Sequence, residues 1–319
     1  MGSATQRAGH DGRQRNTVCE CCEAPGMELV DDTAGGNYRK CGVCGHESQD
    51  SLLPATDQFE SAQREHFGDS SMCLGTAMHV LERERIVERL RVISKYLPAG
   101  SIVEIGPGSG NTAQALTDRG YELALVEHSP VLGEAIRERL GLETWVGEFE
   151  QIDFGERTFD AYASFHVLEH VADENAHLAK EASMVRPEGY AFIATPNAGS
   201  AEHRVLGRHS PNYSSAHLRL FTAESLERAL LASGWKLVEL LTPSYTDAHL
   251  RVATASLRAI RGGTRAAGEP QPRASYAGAV ASRPGQLALS AARVLTWPLR
   301  AVQYRAGMGN ELMIVARRA

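Results

Sequence analysis

The stretch from Ser101 to Asn111 constrains the fold more than any other part of the chain. Its sequence, SIVEIGPGSGN, is a short β-branched run that ends in three glycines at alternate positions, Gly106, Gly108 and Gly110. Glycine permits backbone angles that a Cβ would forbid, and a helix that begins after such a loop presents its first N–H groups to a ligand. The pattern therefore predicts a strand that turns into a helix, with a ligand-binding loop between them.

The spacing of the glycines discriminates between cofactors. A dinucleotide-binding loop has its third glycine three positions after the second, where this chain has Asn111, and here an acid, Glu104, lies inside the end of the strand. The arrangement resembles motif I of the class I S-adenosylmethionine (SAM) methyltransferases. The resemblance implies an α/β fold, a doubly wound, mostly parallel seven-stranded Rossmann-like sheet, with SAM bound by Glu104 and the three glycines.

Later segments resemble the same family in the same order. A second strand over 123–127 ends in Glu127, where nucleotide-binding α/β domains place an acid for the ribose hydroxyls. A third strand over 144–149 ends in Glu148 and Phe149. The resemblance gives Glu148 the adenine amine and lets Phe149 pack on the adenine ring, with a plain core role for Phe149 as the alternative. Phe165, at the end of a fourth strand, completes the cofactor-binding candidates. The resemblance covers residues 72–241 and a last strand over 311–316.

The hexad His166-Val-Leu-Glu169-His170-Val follows the fourth strand and resembles the corresponding motif of small-molecule SAM methyltransferases, of the ubiquinone or sugar type. Because histidine titrates near neutral pH, we expect His170 to be the general base for a hydroxyl acceptor, oriented by Glu169 or His166. In a helical turn these three side chains would share one face. With His217 they would then form a divalent-metal site, as the resemblance to ubiquinone-type and small-RNA methyltransferases implies. A helix cap without catalytic role is the third interpretation.

Four cysteines near the start of the sequence form its most specific local pattern. Cys19-x-x-Cys22 and Cys41-x-x-Cys44 have the spacing of a zinc ribbon. Four thiolates leave no open coordination position, so we expect a structural rather than a catalytic Zn²⁺. Surface disulfides, the alternative, are typical of exported proteins. Cys21 could compete for the metal, and Cys73 is an isolated thiol.

The sequence divides into six predicted segments. These are a disordered polar tail (1–16), a zinc ribbon (17–50), a leading segment (51–100), the SAM-binding core (101–241), a basic insertion (242–308) and the last strand of the core (309–319). The leading segment contains an amphipathic helix over 72–97, and we expect its charged stretch from Glu82 to Arg85 to face solvent.

The basic insertion departs from the family pattern. Residues 241–309 contain nine arginines, no lysine and two acids, whereas the whole chain has a net charge of -6. We expect a flexible loop over 262–284 and two short apolar-faced helices over 286–306 that are separated by Pro298. The interpretations are a lid over the acceptor, a peripheral membrane contact with anionic lipid through Arg293, Arg300 and Arg305, or a packing or dimer contact.

Composition narrows the function. An acidic body argues against a general nucleic-acid binder, because phosphate contacts need clustered lysine and arginine. The sequence contains neither a run of 18 uncharged apolar residues nor an N-terminal signal core, which predicts a cytoplasmic protein. We expect SAM-dependent methyl transfer to a hydroxyl, or a carbon, of a small metabolite, sugar or lipid-like acceptor. The alternatives are an RNA methyltransferase that binds nucleic acid through the ribbon and a non-catalytic zinc-ribbon adaptor.

Overall fold

The computed structural model describes residues 18–33, 35–50, 76–260 and 282–319. The predicted disordered tail, most of the leading segment before its helix, Cys73, and most of the predicted 262–284 loop lie outside the described residues. The leading helix begins at Thr76 and ends at Tyr96, within the predicted 72–97 range.

The described strands are β1 (Glu28–Thr33), β2 (Gly36–Lys40), β3 (Glu47–Gln49), β4 (Ser101–Ile105), β5 (Glu122–Glu127), β6 (Glu143–Val146), β7 (Phe159–Phe165), β8 (Val185–Pro196), β9 (Arg219–Leu220), β10 (Trp235–Leu241) and β11 (Glu311–Arg318). The described α-helices are α1 (Thr76–Tyr96), α2 (Asn111–Thr117), α3 (Pro130–Leu140), α4 (Glu174–Met184), α5 (Ala201–Leu206), α6 (Ala223–Ala232), α7 (Thr246–Ile260) and α8 (Arg283–Arg305).

Seven strands form the main sheet, in the order β10-β11-β8-β7-β4-β5-β6. The pairs from β8 to β6 are parallel, whereas β11 is antiparallel to both β8 and β10. This is the predicted doubly wound, mostly parallel Rossmann-like sheet. Successive residues of β4 enter opposite cores: Val103 packs in the cluster that contains Trp235, and Ile102 in the one that contains Ile93. A strand buried on both faces explains the continuous apolar run in the sequence.

The cysteine-containing segment, residues 18–33 and 35–50, is called the ribbon below. Its strands β1, β2 and β3 form a second sheet, and β9 of the core is the fourth strand of that sheet. The β3–β9 pair is antiparallel and aligns Glu47 with Leu220 and Ser48 with Arg219. The ribbon is therefore joined to the core by strand pairing.

The insertion differs from its prediction. Residues 246–260 form α7, which the sequence analysis did not predict, and α8 runs from Arg283 to Arg305 through Pro298 as one helix. Glu84 of α1 explains the continuity, because its Oε1 lies 3.4 Å from Nε of Arg293 and 3.0 Å from Nη1 of Arg300, on either side of the proline. One carboxylate thus holds both halves of the helix, which offsets the hydrogen bond that proline cannot make.

These ion pairs also overturn the proposed lipid contacts of Arg293 and Arg300, since both guanidinium groups turn inward. The outward face of α8 is apolar instead, with Val294, Leu295 and Trp297 exposed by 74%, 79% and 65%. Within the part of the chain that the structure describes, no helix is long and apolar enough to span a bilayer.

Candidate functional site

The glycine-rich loop between β4 and α2 has the predicted form. Gly106, Gly108 and Gly110 all have positive φ angles, of 63°, 53° and 67°. A Cβ on Gly106 would lie 2.6 Å from Cγ2 of Val167, so the loop packs directly against the segment that follows β7. Only glycine adopts these angles without strain, and its missing side chain lets a ligand approach the main chain.

Glu104 lies at the base of this loop and is 1% exposed. Its Oε2 atom has no hydrogen-bond partner among the described residues. Burial raises the pKa of Glu104 to about 7, although the nearby charge of Arg89 lowers it in part. A buried carboxylate oxygen without a donor is costly, so this atom is suited to bind a cationic group.

Arg89 of α1 lies in the same region, and the sequence analysis did not identify it. The Arg89 side chain stacks on Phe165, with its guanidinium carbon 4.2 Å from the ring centroid, and its Nη1 donates to Oγ1 of Thr112 at 3.0 Å. Its Nε atom has no partner within the described ranges. Glu104 and Arg89 together offer an acceptor for an ammonium group and a donor for a carboxylate. SAM has an ammonium group and a carboxylate on the α-carbon of its methionine part.

The prediction that the Glu82–Arg85 stretch of α1 faces solvent is also wrong, because the glycine-rich loop hydrogen-bonds to it. Oε2 of Glu82 accepts from Oγ of Ser109 at 2.6 Å and from Nδ2 of Asn111 at 2.9 Å. Three positions later, Arg85 pairs with Asp247 at 3.1 Å. Periodicity indicates that charged residues lie opposite the apolar face, but it does not reveal that another segment covers them.

The two remaining acidic candidates stand at the same edge of the sheet. Glu127 ends β5 with 3% exposure, its Oε1 accepts from the Ser129 backbone N–H at 2.9 Å, and burial raises its pKa. Strand register pairs Glu127 with Val146, the last residue of β6. Glu148 follows that strand, and its Oε1 lies 3.2 Å from Nδ1 of His128.

The predicted third strand is too long, and this changes the role of Phe149. The strand ends at Val146, and Phe149 begins a short 3₁₀ helix that turns its ring inward. Phe149 is 5% exposed and packs against His177, with 4.8 Å between ring centroids. The structure thus supports the core role that the sequence analysis left as the alternative, rather than stacking on adenine. Phe165 is 7% exposed beneath Arg89.

His166 differs from its predicted role. It has a φ angle of 63°, and Leu168–His170 form a 3₁₀ turn, so the three candidates do not share one helical face. Nδ1 of His166 lies 3.1 Å from Oε1 of Glu169, and its Nε2 lies 2.7 Å from Oε2 of Glu311. Burial lowers the pKa of His166, but hydrogen bonds with the two carboxylates outweigh this and raise it. Both ring nitrogens of His166 therefore have a carboxylate partner, which makes it unsuited to act as a base or a metal ligand.

His170 and His217 form a pair beside Glu169. Nδ1 of His170 donates to the Ala216 carbonyl oxygen at 2.7 Å, and Nδ1 of His217 donates to that of Asn212 at 2.7 Å. In its neutral form, each ring therefore carries its lone pair on Nε2. The ring centroids lie 4.8 Å apart, and one ligand atom from each of Glu169, His170 and His217 falls within 4.8 Å of the others. The Ala216 carbonyl orients the His170 ring.

The electrostatics of this cluster differ from residue to residue. Burial raises the pKa of Glu169, but the hydrogen bond from His166 and the surrounding imidazoles lower it to about 2. Oε2 of Glu169 also accepts from Oγ1 of Thr195 at 3.0 Å. Burial and the neighbouring His170 lower the pKa of His217 to about 4. Near neutral pH the cluster therefore contains an ionised Glu169 and a neutral His217.

Comparisons with known proteins agree with this fold. A family model described as a methyltransferase domain matches residues 79–240, just over half of the chain. The chain belongs to this methyltransferase family. The fold, the glycine loop and the family membership identify it as a SAM-dependent methyltransferase of class I.

Curated relatives of this methyltransferase carry the name ubiquinone biosynthesis O-methyltransferase. The protein from Parvibaculum lavamentivorans is 29% identical over 43% of this chain and 59% of its own length. The protein from Rhizobium etli (strain CFN 42) is 34% identical over 44% of this chain and 52% of its own length. The chain thus spans between half and three fifths of these relatives. Among solved structures, geranyl diphosphate C-methyltransferase from Streptomyces coelicolor covers 76% of this chain and 77% of its own, with 13% identity and a TM-score of 0.49.

The ribbon of this methyltransferase brings its four predicted metal ligands together. Sγ of Cys19 lies 3.6 Å from Sγ of Cys44, and Sγ of Cys22 lies 3.5 Å from Sγ of Cys41. Thiolates about 2.3 Å from a tetrahedral zinc would be about 3.8 Å apart, which is close to these distances. Burial raises the pKa of Cys41, but N–H groups of Cys44 and Val43 outweigh this and lower it to about 7.

Cys21 does not join this cluster. The four grouped thiols are those of the two Cys-x-x-Cys pairs, whereas Cys21 packs beside them, and burial raises its pKa. The group of four is thus the set that the spacing predicts.

Proposed function

We propose that this SAM-dependent methyltransferase transfers a methyl group to a hydroxyl of a small acceptor, with His170 as the general base. The observation that carries the proposal is the Nδ1–H tautomer of His170, which its bond to the Ala216 carbonyl oxygen fixes three residues after Val167, the residue that Gly106 packs against. This tautomer leaves Nε2 as the atom that can accept a proton. A carbon acceptor is the alternative within the same class.

The residues at the loop fit SAM, with one role for each. Glu104 would hold the α-ammonium group, Arg89 the carboxylate, Glu127 the ribose hydroxyls and Glu148 the adenine amine. The unpartnered Oε2 of Glu104 supports this assignment most directly. When bound, SAM supplies a methyl carbon that its sulfonium makes electrophilic, so the chain itself must orient the acceptor, exclude water and remove a proton.

Three side chains would perform the proton transfer. Nε2 of His170 accepts the hydroxyl proton, and the ionised Glu169 stabilises the resulting imidazolium. His217, which stays neutral because of its lowered pKa, adds no positive charge to oppose that protonation. The interaction with His166 lowers the pKa of Glu169 and fixes its carboxylate in place.

Metal assistance is the second candidate mechanism, and the convergence of Glu169, His170 and His217 favours it. Each imidazole donates its Nδ1–H to a backbone carbonyl, as metal-bound histidines commonly do. Two imidazoles and one carboxylate suit zinc, iron or nickel better than magnesium. Such an ion would supply Lewis-acid activation of the acceptor hydroxyl. His166, the fourth residue of the predicted set, is excluded by its two carboxylate partners.

Two observations support a lipid-like acceptor. The curated relatives are named for ubiquinone biosynthesis and for O-methylation, which favours oxygen over carbon. The exposed apolar face of α8 would suit contact with an anionic lipid surface, with the exposed Arg305 at the end of the same helix. Co-sedimentation with phosphatidylglycerol vesicles tests the surface, with Trp297→Asp as the variant that should abolish it. Concentration-dependent dimerisation without vesicle binding would instead make this face a contact between two copies.

The ribbon would bind one structural Zn²⁺ through its four cysteines. We expect one zinc per chain in purified protein, measured by elemental analysis, and a ratio near zero would contradict the assignment. Residues 17–50, 101–241 with 309–319, and 242–308 would then be the zinc, catalytic and basic units of the protein.

The activity test combines purified protein with SAM that carries a tritiated methyl group. The acceptor panel contains a catechol with an apolar tail, a nucleotide-linked deoxysugar and a short RNA. We expect label on the catechol, loss of at least 100-fold in turnover for His170→Ala, and normal turnover for the control His209→Ala, whose side chain is exposed. Label on RNA would support the RNA methyltransferase. Failure to bind SAM would leave the zinc-ribbon adaptor. A chelator that stops turnover without removing the ribbon zinc would favour the metal mechanism.

A further inference from the structure

The ribbon contacts the loop that carries His217 through buried side chains. The hydroxyl of Tyr38, which is fully buried, lies 2.6 Å from the His217 carbonyl oxygen and 2.8 Å from that of Ser214. Nε2 of Gln49 donates to the Ser215 carbonyl oxygen at 3.0 Å. Two ribbon side chains therefore bind three of the four backbone carbonyls of residues 214–217.

The other carbonyls of the same loop bind the active-site imidazoles. The Asn212 carbonyl oxygen accepts from His217, and the Ala216 carbonyl oxygen accepts from His170, each at 2.7 Å. Carbonyls bound by the ribbon thus lie on both sides of the Ala216 carbonyl, which selects the tautomer of His170. A shift of the loop would change both sets together.

Close packing makes this contact sensitive to small changes. A Cβ on Gly35, in the turn between β1 and β2, would lie 2.5 Å from the backbone carbon of Ser214. The backbone N–H of Gln49 also donates to the Leu218 carbonyl oxygen at 2.9 Å, which continues the β3–β9 pairing. The loop is therefore held on its outer side by ribbon backbone and side chains alike.

A separate ion pair fixes the chain that follows His170. The carboxylate of Glu20, next to the first cysteine, accepts from Nε and Nη2 of Arg219 at 3.0 Å each. Arg219 in turn donates from Nη1 to the Val171 carbonyl oxygen and from Nη2 to that of Ala172. The first cysteine knuckle is thus linked to the main chain beside His170, just as the Tyr38 region is linked to that beside His217.

We propose that Tyr38 and Gln49 of the ribbon are positioning residues that hold the 212–218 loop, and through it His170 and His217, in the catalytic Nδ1–H tautomers. On this account the ribbon supports the acceptor site and is not a separate module. The proposal rests on the proposed function only for the catalytic role of the two histidines. Their tautomers can be measured without any acceptor.

The experiment uses the full-length zinc-loaded chain and long-range ¹H–¹⁵N spectra of the histidine rings at pH 8. Variants Tyr38→Phe and Gln49→Met remove one donor each, and Gly35→Ala displaces Ser214. Tyr121→Phe is the matched control, because it removes a buried hydroxyl that donates to the Leu97 carbonyl oxygen at 2.6 Å, away from the loop. Zinc content and S-adenosylhomocysteine affinity are measured for every variant to verify that ribbon and core remain folded.

We expect the His170 and His217 resonances to shift in the three ribbon variants, with a smaller share of the Nδ1–H tautomer, and to stay unchanged in Tyr121→Phe. Zinc content and S-adenosylhomocysteine affinity should remain within twofold of the wild-type values in all four. Wild-type histidine spectra in Tyr38→Phe and Gln49→Met would overturn the proposal, whether or not any acceptor is methylated. If Gly35→Ala does not fold, the two conservative variants still decide the question. If the unmodified protein methylates no acceptor but the ribbon variants show the expected shifts, the result counts against the proposed function alone.

Discussion

Glu104 should give up a proton when a ligand with an α-ammonium group binds. Its carboxyl is 1% exposed, burial raises its pKa to about 7, and its Oε2 has no partner among the described residues. At pH 6 a group with that pKa is about 90% protonated, and at pH 8 about 10%. A bound ammonium group favours the ionised carboxylate, so S-adenosylhomocysteine should release about 0.9 proton at pH 6 and about 0.1 at pH 8.

Calorimetric titration in buffers of different ionisation enthalpy measures this release directly. Glu104→Gln is the matched control, because its amide mimics the neutral carboxyl and cannot release a proton, so the difference between the two proteins excludes protons from Glu127. The variant should also bind the ligand at least tenfold more weakly at pH 8. An equal proton release at pH 6 in both proteins would refute the assignment of Glu104 to the ammonium group.

The same shift predicts how stability depends on pH without ligand. The folded-state pKa of Glu104 lies above the ordinary value of 4.5, so the folded protein binds this proton more tightly than the unfolded chain. The contribution is complete below pH 4.5 and is lost as the pH rises through 7. At 1.36 kcal/mol per pKa unit, the free energy of unfolding should fall by about 3 kcal/mol across this window, relative to Glu104→Gln. Urea denaturation at several pH values measures the difference.

Three further predictions concern the ribbon, helix α6, whose cap contacts the ribbon, and the core. Cys41→Ser should lower zinc content from one ion per chain to near zero by elemental analysis, while unchanged zinc would contradict the four-cysteine site. Thr222→Ala should cost about 1–2 kcal/mol in urea denaturation, because Thr222 caps α6 and donates to the Cys44 carbonyl oxygen at 2.7 Å, whereas Thr222→Ser should retain most of the stability. Burial lowers the pKa of His177, but hydrogen bonds with Glu150 and Glu181 outweigh this and raise it to about 9. This stabilisation is complete below pH 6.5 and is lost as the pH rises through 9, so a wild-type unfolding free energy that falls no more steeply there than that of His177→Gln would contradict it.

The sequence was sufficient to predict the elements whose signals are local. Alternating glycines after a β-branched strand require the positive φ angles that Gly106 and Gly110 adopt, and the two Cys-x-x-Cys pairs encode the thiol cluster. In each case the residues that determine the geometry lie within a few positions of one another or in a repeated motif.

The wrong predictions share a different cause, since each depends on a partner that is distant in sequence. The motif predicts His166 in the base or metal set, but Glu311, 145 positions later, binds its second ring nitrogen. Pro298 was expected to break a helix, but Glu84 holds both halves. Arg89 was not recognised, because its position in an amphipathic helix gives no indication that it faces the glycine loop. A single sequence does not indicate which distant residues come into contact.

The distant contacts also change how the insertion relates to the candidate active site. From Glu169 the charges continue through His166 and Glu311 to Arg85, whose Nε lies 3.4 Å from Oε2 of Glu311 and whose Nη2 lies 3.1 Å from Oδ2 of Asp247 on α7. Signs alternate along this chain, so each charge that is removed from water has an opposite neighbour. Loss of a partner of the buried Glu169 or Glu311 leaves that carboxylate uncompensated, which typically costs about 3–5 kcal/mol for a buried pair. The insertion therefore contributes Asp247 to the charge network behind Glu169. A substitution of Asp247 should alter the electrostatic environment of the Glu169 carboxylate, which stabilises the proposed base.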